Sequence, residues 1–368
     1  MPNIGGFILA AGEGRRLRPA TLTRPKALVP FCGVPLLELV ASQLGTLDLC
    51  GTVVNVSYQA DRVYEAARRL AGENDWDLRI SQENTLLETG GGLRQGSRLI
   101  PDAEHILVHN VDIILDLALD ELVQRHLESG AAVTAALVPG RGPATVTVRP
   151  DGAIEEFRNP SGTAPYTFSG VHLLRRDVLD LLPDDGAWSI ILAYQEAQRR
   201  GLPVQAFLLN EHHYWADLGT ARQYIRAHGE IADCALRYHP RLRAAQTEQA
   251  RRRAALEQTG VICTGALGLG IDLSVPVGSQ LHNAILWDYT RLPRPLLYAD
   301  GIFIGNDVPP ATATGDERRP DRRVYSFLGL KPEECRLEPL KKQGSGRQYW
   351  RLACGDRTWV WCAYNPER

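Results

Sequence analysis

Lys26 lies in the stretch LTRPKALVP, residues 22 to 30, and no other lysine occurs before Lys331. Only four of the 41 basic residues are lysine, so the chain otherwise writes its positive charge as arginine. An ammonium kept between Pro25 and Pro30 points to a task that a compact point charge does better than a planar fork, and contact with a phosphate is such a task. Upstream, LAAGEGRRLRP sets Gly12 and Gly14 just after an apolar run. Bare backbone N–H groups there can approach phosphate oxygens, and Arg16 can pair with them. Two aspartates follow apolar or aromatic runs, Asp112 in LVHNVDIILD and Asp217 in YWADLGT. An unpaired carboxylate is costly to bury. A shared divalent cation would relieve that cost, because hard carboxylate and triphosphate oxygens are the usual Mg2+ surroundings. Each feature also has an ordinary reading: GxG before arginine occurs in many turns, Leu17 stands where a dinucleotide fingerprint has its third glycine, the GK[ST] ending of a P-loop is missing, and two strand-end aspartates need not meet.

The elements that must position these residues alternate in the first 230 residues. GGFILAAG, GTVVNVSY and HILVHNVDII have strand length and character, while PLLELVASQLGTL and DRVYEAARRLAG have helical spacing. This order predicts an α/β fold with a mostly parallel sheet covered by helices on both faces. Ligands of such sheets sit beyond the carboxyl ends of the strands, where strand order reverses, which directs attention to the loops after Leu9 and Asn110. Residues 220 to 258 read as a charged helical tract broken at Pro240. From 260 to 306 short apolar pairs recur between glycines and turn residues on a worn six-residue period, the pattern of a parallel β-helix. The polar stretch ATATGDERRPDRR, 311 to 323, suits a linker, and the last 45 residues read as strand, Gly/Ser turn, strand, turn, strand.

Taken together, these motifs carry a resemblance. LAAGEGRRLRPATLTRPKALVPFCGVPLLE closely resembles the opening of the sugar-1-phosphate nucleotidyltransferases, and ETGGGL (88 to 93), HNVDI (109 to 113), FSGVH (168 to 172) and YWADLGT (214 to 220) follow in that family's order. The resemblance covers residues 4 to about 230. It implies a Rossmann-like, GT-A-like mixed sheet, and attack of a sugar-1-phosphate oxygen on the α-phosphorus of an NTP, with pyrophosphate leaving. Carried over by motif position, Arg16 neutralises the triphosphate and Lys26 holds the α-phosphate or the sugar phosphate. Asp112 and Asp217 hold Mg2+, or Mn2+ in its place. Ala11, Gly12, Gly14, Gln82, Thr89 and Gly90 match nucleotide-binding positions, with Gln82 as a base reader. Ser169 and Gly170 match the sugar pocket, to which the stretch containing Glu156 often contributes. IEEFRNP departs from the usual EKP wording, and Val111 stands where many members have glycine. ETGGG and FSGVH look most like the bacterial branch with N-acetylmuramate-1-phosphate uridylyltransferase, mannose-1-phosphate and heptose-1-phosphate guanylyltransferases close by, so UTP or GTP is the expected nucleotide. QGSGRQYWRL resembles the glycine-rich strand turn that opens aminoglycoside-phosphotransferase-like kinases, but WVWCAYNP lacks their lysine and kinase activity is not expected of this chain.

Composition narrows the alternatives. A net charge of -2 with acids and bases interspersed argues against nucleic acid as a partner, and 44% hydrophobic residues suffice for two or three cores. Residues 1 to 12 read as a buried strand and not as a signal peptide, so a cytoplasmic location without membrane partners is expected. Seven scattered cysteines suggest neither a disulfide framework nor a zinc site. His212 and His213 read as loop histidines. The expected divisions are a nucleotidyltransferase domain over 1–232, a helical connector over 233–258, a degenerate left-handed β-helix over 259–310, a linker over 311–323 and incomplete kinase-like strands over 324–368. Homo-oligomerisation through the β-helix and a separate sugar kinase are left open as partners. Every assigned catalytic residue lies before 220, so the later segments are expected to be dispensable for chemistry but not for assembly. The rival reading is a non-catalytic sugar-nucleotide-binding subunit of the same fold, against which the joint presence of Arg16, Lys26, Asp112 and Asp217 argues.

Overall fold

The computed structural model describes residues 2–18, 20–159, 164–184, 186–292, 295, 299–305, 331, 335–339, 347–354 and 357–364. β1 (Ile4–Leu9) opens the chain, followed by α1 (Ala20–Thr23), a hairpin of β2 (Pro30–Phe31) and β3 (Val34–Pro35), α2 (Leu36–Leu44), β4 (Thr52–Val56), α3 (Ala60–Asn74) and β5 (Leu78–Gln82). Next come α4 (Glu88–Gly96), β6 (His105–Asn110), β7 (Ile113–Leu115), α5 (Leu119–Ser129), β8 (Val133–Pro139), β9 (Thr147–Val148) and β10 (Ile154–Glu156). β11 (Tyr166–Arg175), α6 (Ile190–Arg199), β12 (Val204–Leu208) and β13 (Trp215–Asp217) follow.

Seven strands form one sheet in the order β12-β8-β11-β6-β1-β4-β5. β6, β1, β4 and β5 are parallel, as are β12 and β8, while β11 runs against both its neighbours. The mostly parallel α/β sheet expected from the alternation is therefore present, and it is mixed, as the resemblance implied. Phe7 and Ile8, adjacent on β1, are both fully buried, as a strand covered on two faces requires. Ile8, Val54 and Leu107 belong to a core shared with α2, α5 and the later helices, whereas Phe7, Val53 and Val108 pack on the other face with Leu93 of α4 and Tyr194 of α6. The chain leaves β1 towards β4 on one side and returns as β6 on the other, which opens a crevice at their carboxyl ends. Beyond that crevice β7 and β13 pair antiparallel.

α7 (Ala221–Ala232) is capped by Thr220, whose hydroxyl accepts from Gln223 N. α8 (Pro240–Gln258) restarts the helical tract after the break, with proline in its first turn, where the missing N–H costs nothing, and His239 as its cap. β14 (Ile262–Leu269), β15 (Gln280–Leu286) and β16 (Ala299–Phe303) then stack in parallel, Ile262 opposite Gln280 and Leu281 opposite Ala299. Cys263, Leu281, Ala284, Leu286 and Phe303 fill the inside of this stack, and its other side joins the main core through Ala266, Ile285 and Trp287. Among the described residues no helix is long and apolar enough to cross a membrane.

β17 (Arg336–Pro339), β18 (Arg347–Cys354) and β19 (Arg357–Tyr364) form an antiparallel sheet, matching the strand order read from the tail. The expected Gly/Ser turn, the linker 311–323 and residues 306–310 lie outside the described residues. One reading needs correcting: Cys335 and Cys354 form a disulfide, with Cα atoms 4.4 Å apart. The ladder that pairs Arg336 with Ala353 brings them opposite each other, a juxtaposition invisible in their spacing.

Candidate active site

The loop after β1 is held from three sides. Ala10 N donates to Asn55 Oδ1 at 2.7 Å, Leu17 is fully buried, and Thr21 Oγ1 donates to Gly14 O at 2.8 Å. Gly14 has φ +64°, and a Cβ there would come within 2.9 Å of Thr21 Cγ2 and 3.1 Å of Lys26 Cβ, so both backbone and space require glycine. A Cβ on Gly12 would meet nothing within 4 Å, which leaves that backbone open to a ligand. Glu13 accepts from Arg15 at 2.6 and 2.9 Å and from Arg18 at 3.5 Å. Arg16 is turned towards Gly219, where a Cβ would lie 2.9 Å from both Arg16 Nη2 and Asp217 Oδ1.

Lys26 starts a single 3-10 turn behind Pro25, anchored by buried Ala27 and Val29. Its ammonium donates to Asp112 Oδ2 in an ion pair whose side chains are 12% and 18% exposed. Asp112 is thus not left uncompensated, as the sequence suggested; the lysine expected at a phosphate neutralises it. The β7–β13 ladder places Asp217 opposite Ile113, next to Asp112, and Leu218 N donates to Asp112 O at 2.9 Å. Asp217 accepts from Gly219 N at 2.7 Å and Gln223 Nε2 at 3.4 Å. Burial first, and the charge of Asp112 second, raise its carboxyl above the usual range, against the opposing pull of the Gly219 N–H, Lys26 and Arg16.

A cleft of about 390 Å³ opens over this cluster, lined by Glu13, Gly14, Arg15, Arg16, Lys26, Leu86 and Gly219. Other expected site residues have different surroundings. Ala11 is nearly buried, beside Gly12 on the same loop. Gln82 is exposed at the end of β5. Thr89 Oγ1 accepts from Ile190 N at 2.9 Å, and Gly90 N donates to Trp188 O at 2.6 Å, so both residues join α4 to the approach of α6. Glu156 accepts from Asn159 Nδ2 at 2.7 Å. Ser169 is buried and closes a bulge in β11, its Oγ accepting from Val171 N at 3.0 Å and its carbonyl from Trp215 Nε1 at 3.0 Å. Gly170, with φ +85°, abuts Asn110, where a Cβ would lie 2.8 Å from Nδ2. His212 is exposed, and His213 Nδ1 accepts from Asn210 N at 3.2 Å.

Sequence reading missed Asn55, Glu83 and Gly219. Asn55 accepts from Ala10 N and donates to Glu83 Oε1 at 2.7 Å, while Glu83 Oε2 accepts from Leu87 N at 2.9 Å, which ties the ends of β1, β4 and β5 together. The available signal was a lone asparagine inside GTVVNVSY. A larger cleft, about 540 Å³, lies at the opposite end of the sheet around Arg94, Arg98, His105, Arg175 and Arg176. Arg94 and Arg175 there are bound to Asp184 and Asp177, and Arg176 to backbone carbonyls.

The family described as Nucleotidyl transferase matches residues 5–233. Among curated proteins, mannose-1-phosphate guanylyltransferase of Mycobacterium tuberculosis is 24% identical over 294 residues, covering 78% of this chain and 81% of that protein. Glucose-1-phosphate adenylyltransferase of Mycobacteroides abscessus is 28% identical over 275 residues, 62% of this chain and 67% of that protein. Vertebrate relatives are matched over 62% of their length. Among solved structures, a putative glucose-1-phosphate thymidylyltransferase from Bacillus anthracis, in complex with a sucrose, superposes with a TM-score of 0.56 at 18% identity, covering 63% of this chain and 96% of that one. At that identity the likeness establishes the fold alone.

Proposed function

With 5–233 matched, the chain belongs to the nucleotidyl transferase family, and from that premise we propose that it moves a nucleoside monophosphate from an NTP to a sugar 1-phosphate, with Mg2+ as cofactor. The observation that carries this reading is that Arg16 and Lys26 line one cleft beside bare glycine backbone, with Asp112 paired to Lys26 and Asp217 meeting Arg16 at Gly219. The sugar-phosphate oxygen forms a bond to the α-phosphorus as the bond from that phosphorus to the pyrophosphate oxygen breaks. The nucleophile is already ionised at neutral pH, so the site needs no general base and works by positioning and charge.

Asp112 and Asp217 suit a hard cation: they are two carboxylates that one ladder brings side by side, and the burial and mutual repulsion on Asp217 would ease on binding it. Held by Asp112 and Asp217, Mg2+ would supply positive charge that offsets the charge of the phosphates. Lys26 would then exchange Asp112 for a phosphate oxygen, and Arg16 would face the departing pyrophosphate. Gly12 and Gly14 would present N–H groups to the triphosphate, with Ala11, Gln82, Thr89 and Gly90 towards base and ribose, and Ser169, Gly170 and Glu156 towards the sugar. We assign the residues that touch substrate to 1–232, and read the parallel stack as a short left-handed β-helix. The relatives named for guanylyl and adenylyl transfer make GTP with mannose 1-phosphate the first pair to try, ahead of UTP. Pyrophosphate release should be measured across NTPs and sugar 1-phosphates. Release with at least one pair is expected, and silence across all pairs with folded protein would overturn the reading.

A further inference from the structure

We propose that Trp287, on the parallel stack, is a positioning residue for the Lys26 loop, so that the stack completes the active site instead of merely following it. This rests on the catalytic reading of Lys26 given above. The guanidinium of Arg24 lies 4.7 Å from the centroid of the Trp287 ring. That ring is 2% exposed, so it is a fixed platform and not a mobile surface group. Burial pulls the Arg24 pKa down, and the nearby charge of Asp288, the next residue on the stack, partly restores it.

The same indole reaches the other end of the loop. Trp287 Nε1 donates to Tyr224 Oη at 3.3 Å, and the Tyr224 hydroxyl donates to the carbonyl of Pro30. Lys26 therefore lies between two points, residues 24 and 30, that are both referred to one tryptophan more than 250 residues away in sequence. The hairpin that follows is gripped from the same side. Cys32 N donates to His228 Nε2 at 3.2 Å, and Gln249 Nε2 donates both to Cys32 O at 3.0 Å and to Leu269 O on β14 at 2.8 Å. On its opposite side the loop has the Lys26–Asp112 pair. An ammonium that must leave Asp112 for a phosphate needs its backbone held while its side chain moves, and the stack supplies that hold. Sequence reading placed everything beyond about 232 outside the chemistry; these contacts do not.

The test uses the full chain with Trp287→Ala, Trp287→Phe and Arg24→Ala. Amide hydrogen exchange over residues 24–33 should speed up in Trp287→Ala and Arg24→Ala while β1, β4 and β6 keep their protection. Trp287→Phe, which retains an aromatic face under Arg24, should recover much of the difference. In turnover, kcat should fall about tenfold or more in the two alanine variants with KM changed less, and the double variant should be little worse than Trp287→Ala alone, since that change already removes the Arg24 contact. Unchanged loop exchange in a folded Trp287→Ala or Arg24→Ala protein overturns the inference whatever the activity. Faster loop exchange in a protein whose wild type shows no turnover supports the clamp and counts instead against the catalytic reading.

Discussion

The two ends of the seven-stranded sheet differ in what their charges are doing. At the carboxyl ends of β1 and β6 the chain offers bare glycine backbone, a lysine and an aspartate that neutralise each other, and a second aspartate raised by burial and by the first. At the other end, around the larger cleft, there are more arginines, but Arg175 is bound twice to Asp177, Arg94 to Asp184 and two carbonyls, and Arg176 to carbonyls of the loops beside it. Cleft size and charge number favour the second end; exchangeable partners favour the first. A binding site needs groups whose present partners can be traded for ligand atoms, and an arginine locked onto backbone carbonyls has nothing to trade.

The contrast breaks most severely if the paired carboxylates do not matter. Asp217→Asn keeps the shape and removes the charge, and should lower turnover by about a thousandfold with the fold intact. Mg2+-dependent turnover close to wild type would put the cation elsewhere. A smaller effect is expected at Gly219, where an added Cβ meets Arg16 and Asp217 at 2.9 Å. Gly219→Ala should cost about tenfold in kcat through that displacement, and unchanged steady-state kinetics would show that the crowding is relieved without consequence.

Burial lowers His109 and His228 to about 4, and His126, His172 and His239 to about 3. Each is neutral in the folded protein but takes up a proton near pH 6.5 when unfolded. Stability is therefore retained above that pH and lost as pH falls below it, for each group that stays neutral. Urea midpoints should drop steadily from pH 7 to pH 5, and a flat profile would contradict the burial of these rings. The smallest effect belongs to the opposite end of the sheet: Arg175→Ala removes a partly exposed ion pair and should alter kcat by less than about twofold. A tenfold loss there would erase the distinction between the two ends.

Much of the framework was legible in the sequence. The apolar runs of β1, β4 and β6 announced a buried parallel sheet, and Gly14, Lys26 and Asp112 stood out because their types were costly or unusual where they occurred. The joining contacts were not legible. Lys26 with Asp112, Asn55 with Glu83, and Arg24 with Trp287 are pairs far apart along the chain, fixed by how the strands and the stack come together. Thr89 and Gly90 make contacts that a glycine-rich motif does not announce: Thr89 Oγ1 accepts from Ile190 N, and a Cβ on Gly90 would meet Trp188 O and Ile190 N. The disulfide between Cys335 and Cys354 depended on strand register, which spacing does not encode.

The central claim is that the charges at the carboxyl end are held ready for substrate phosphates, and Lys26→Arg tests it most directly. If Lys26 serves only to neutralise Asp112, arginine should serve as well, because a guanidinium pairs readily with a carboxylate. If the ammonium must pass to a phosphate oxygen within a loop stiffened by Pro25 and Pro30, the longer planar group places its charge wrongly. Pyrophosphate release by Lys26→Arg, measured beside wild type and Lys26→Ala at matched thermal stability, should fall by about a hundredfold, almost as far as in the alanine variant. Turnover of Lys26→Arg close to wild type would contradict the account and leave Lys26 as a structural partner of Asp112.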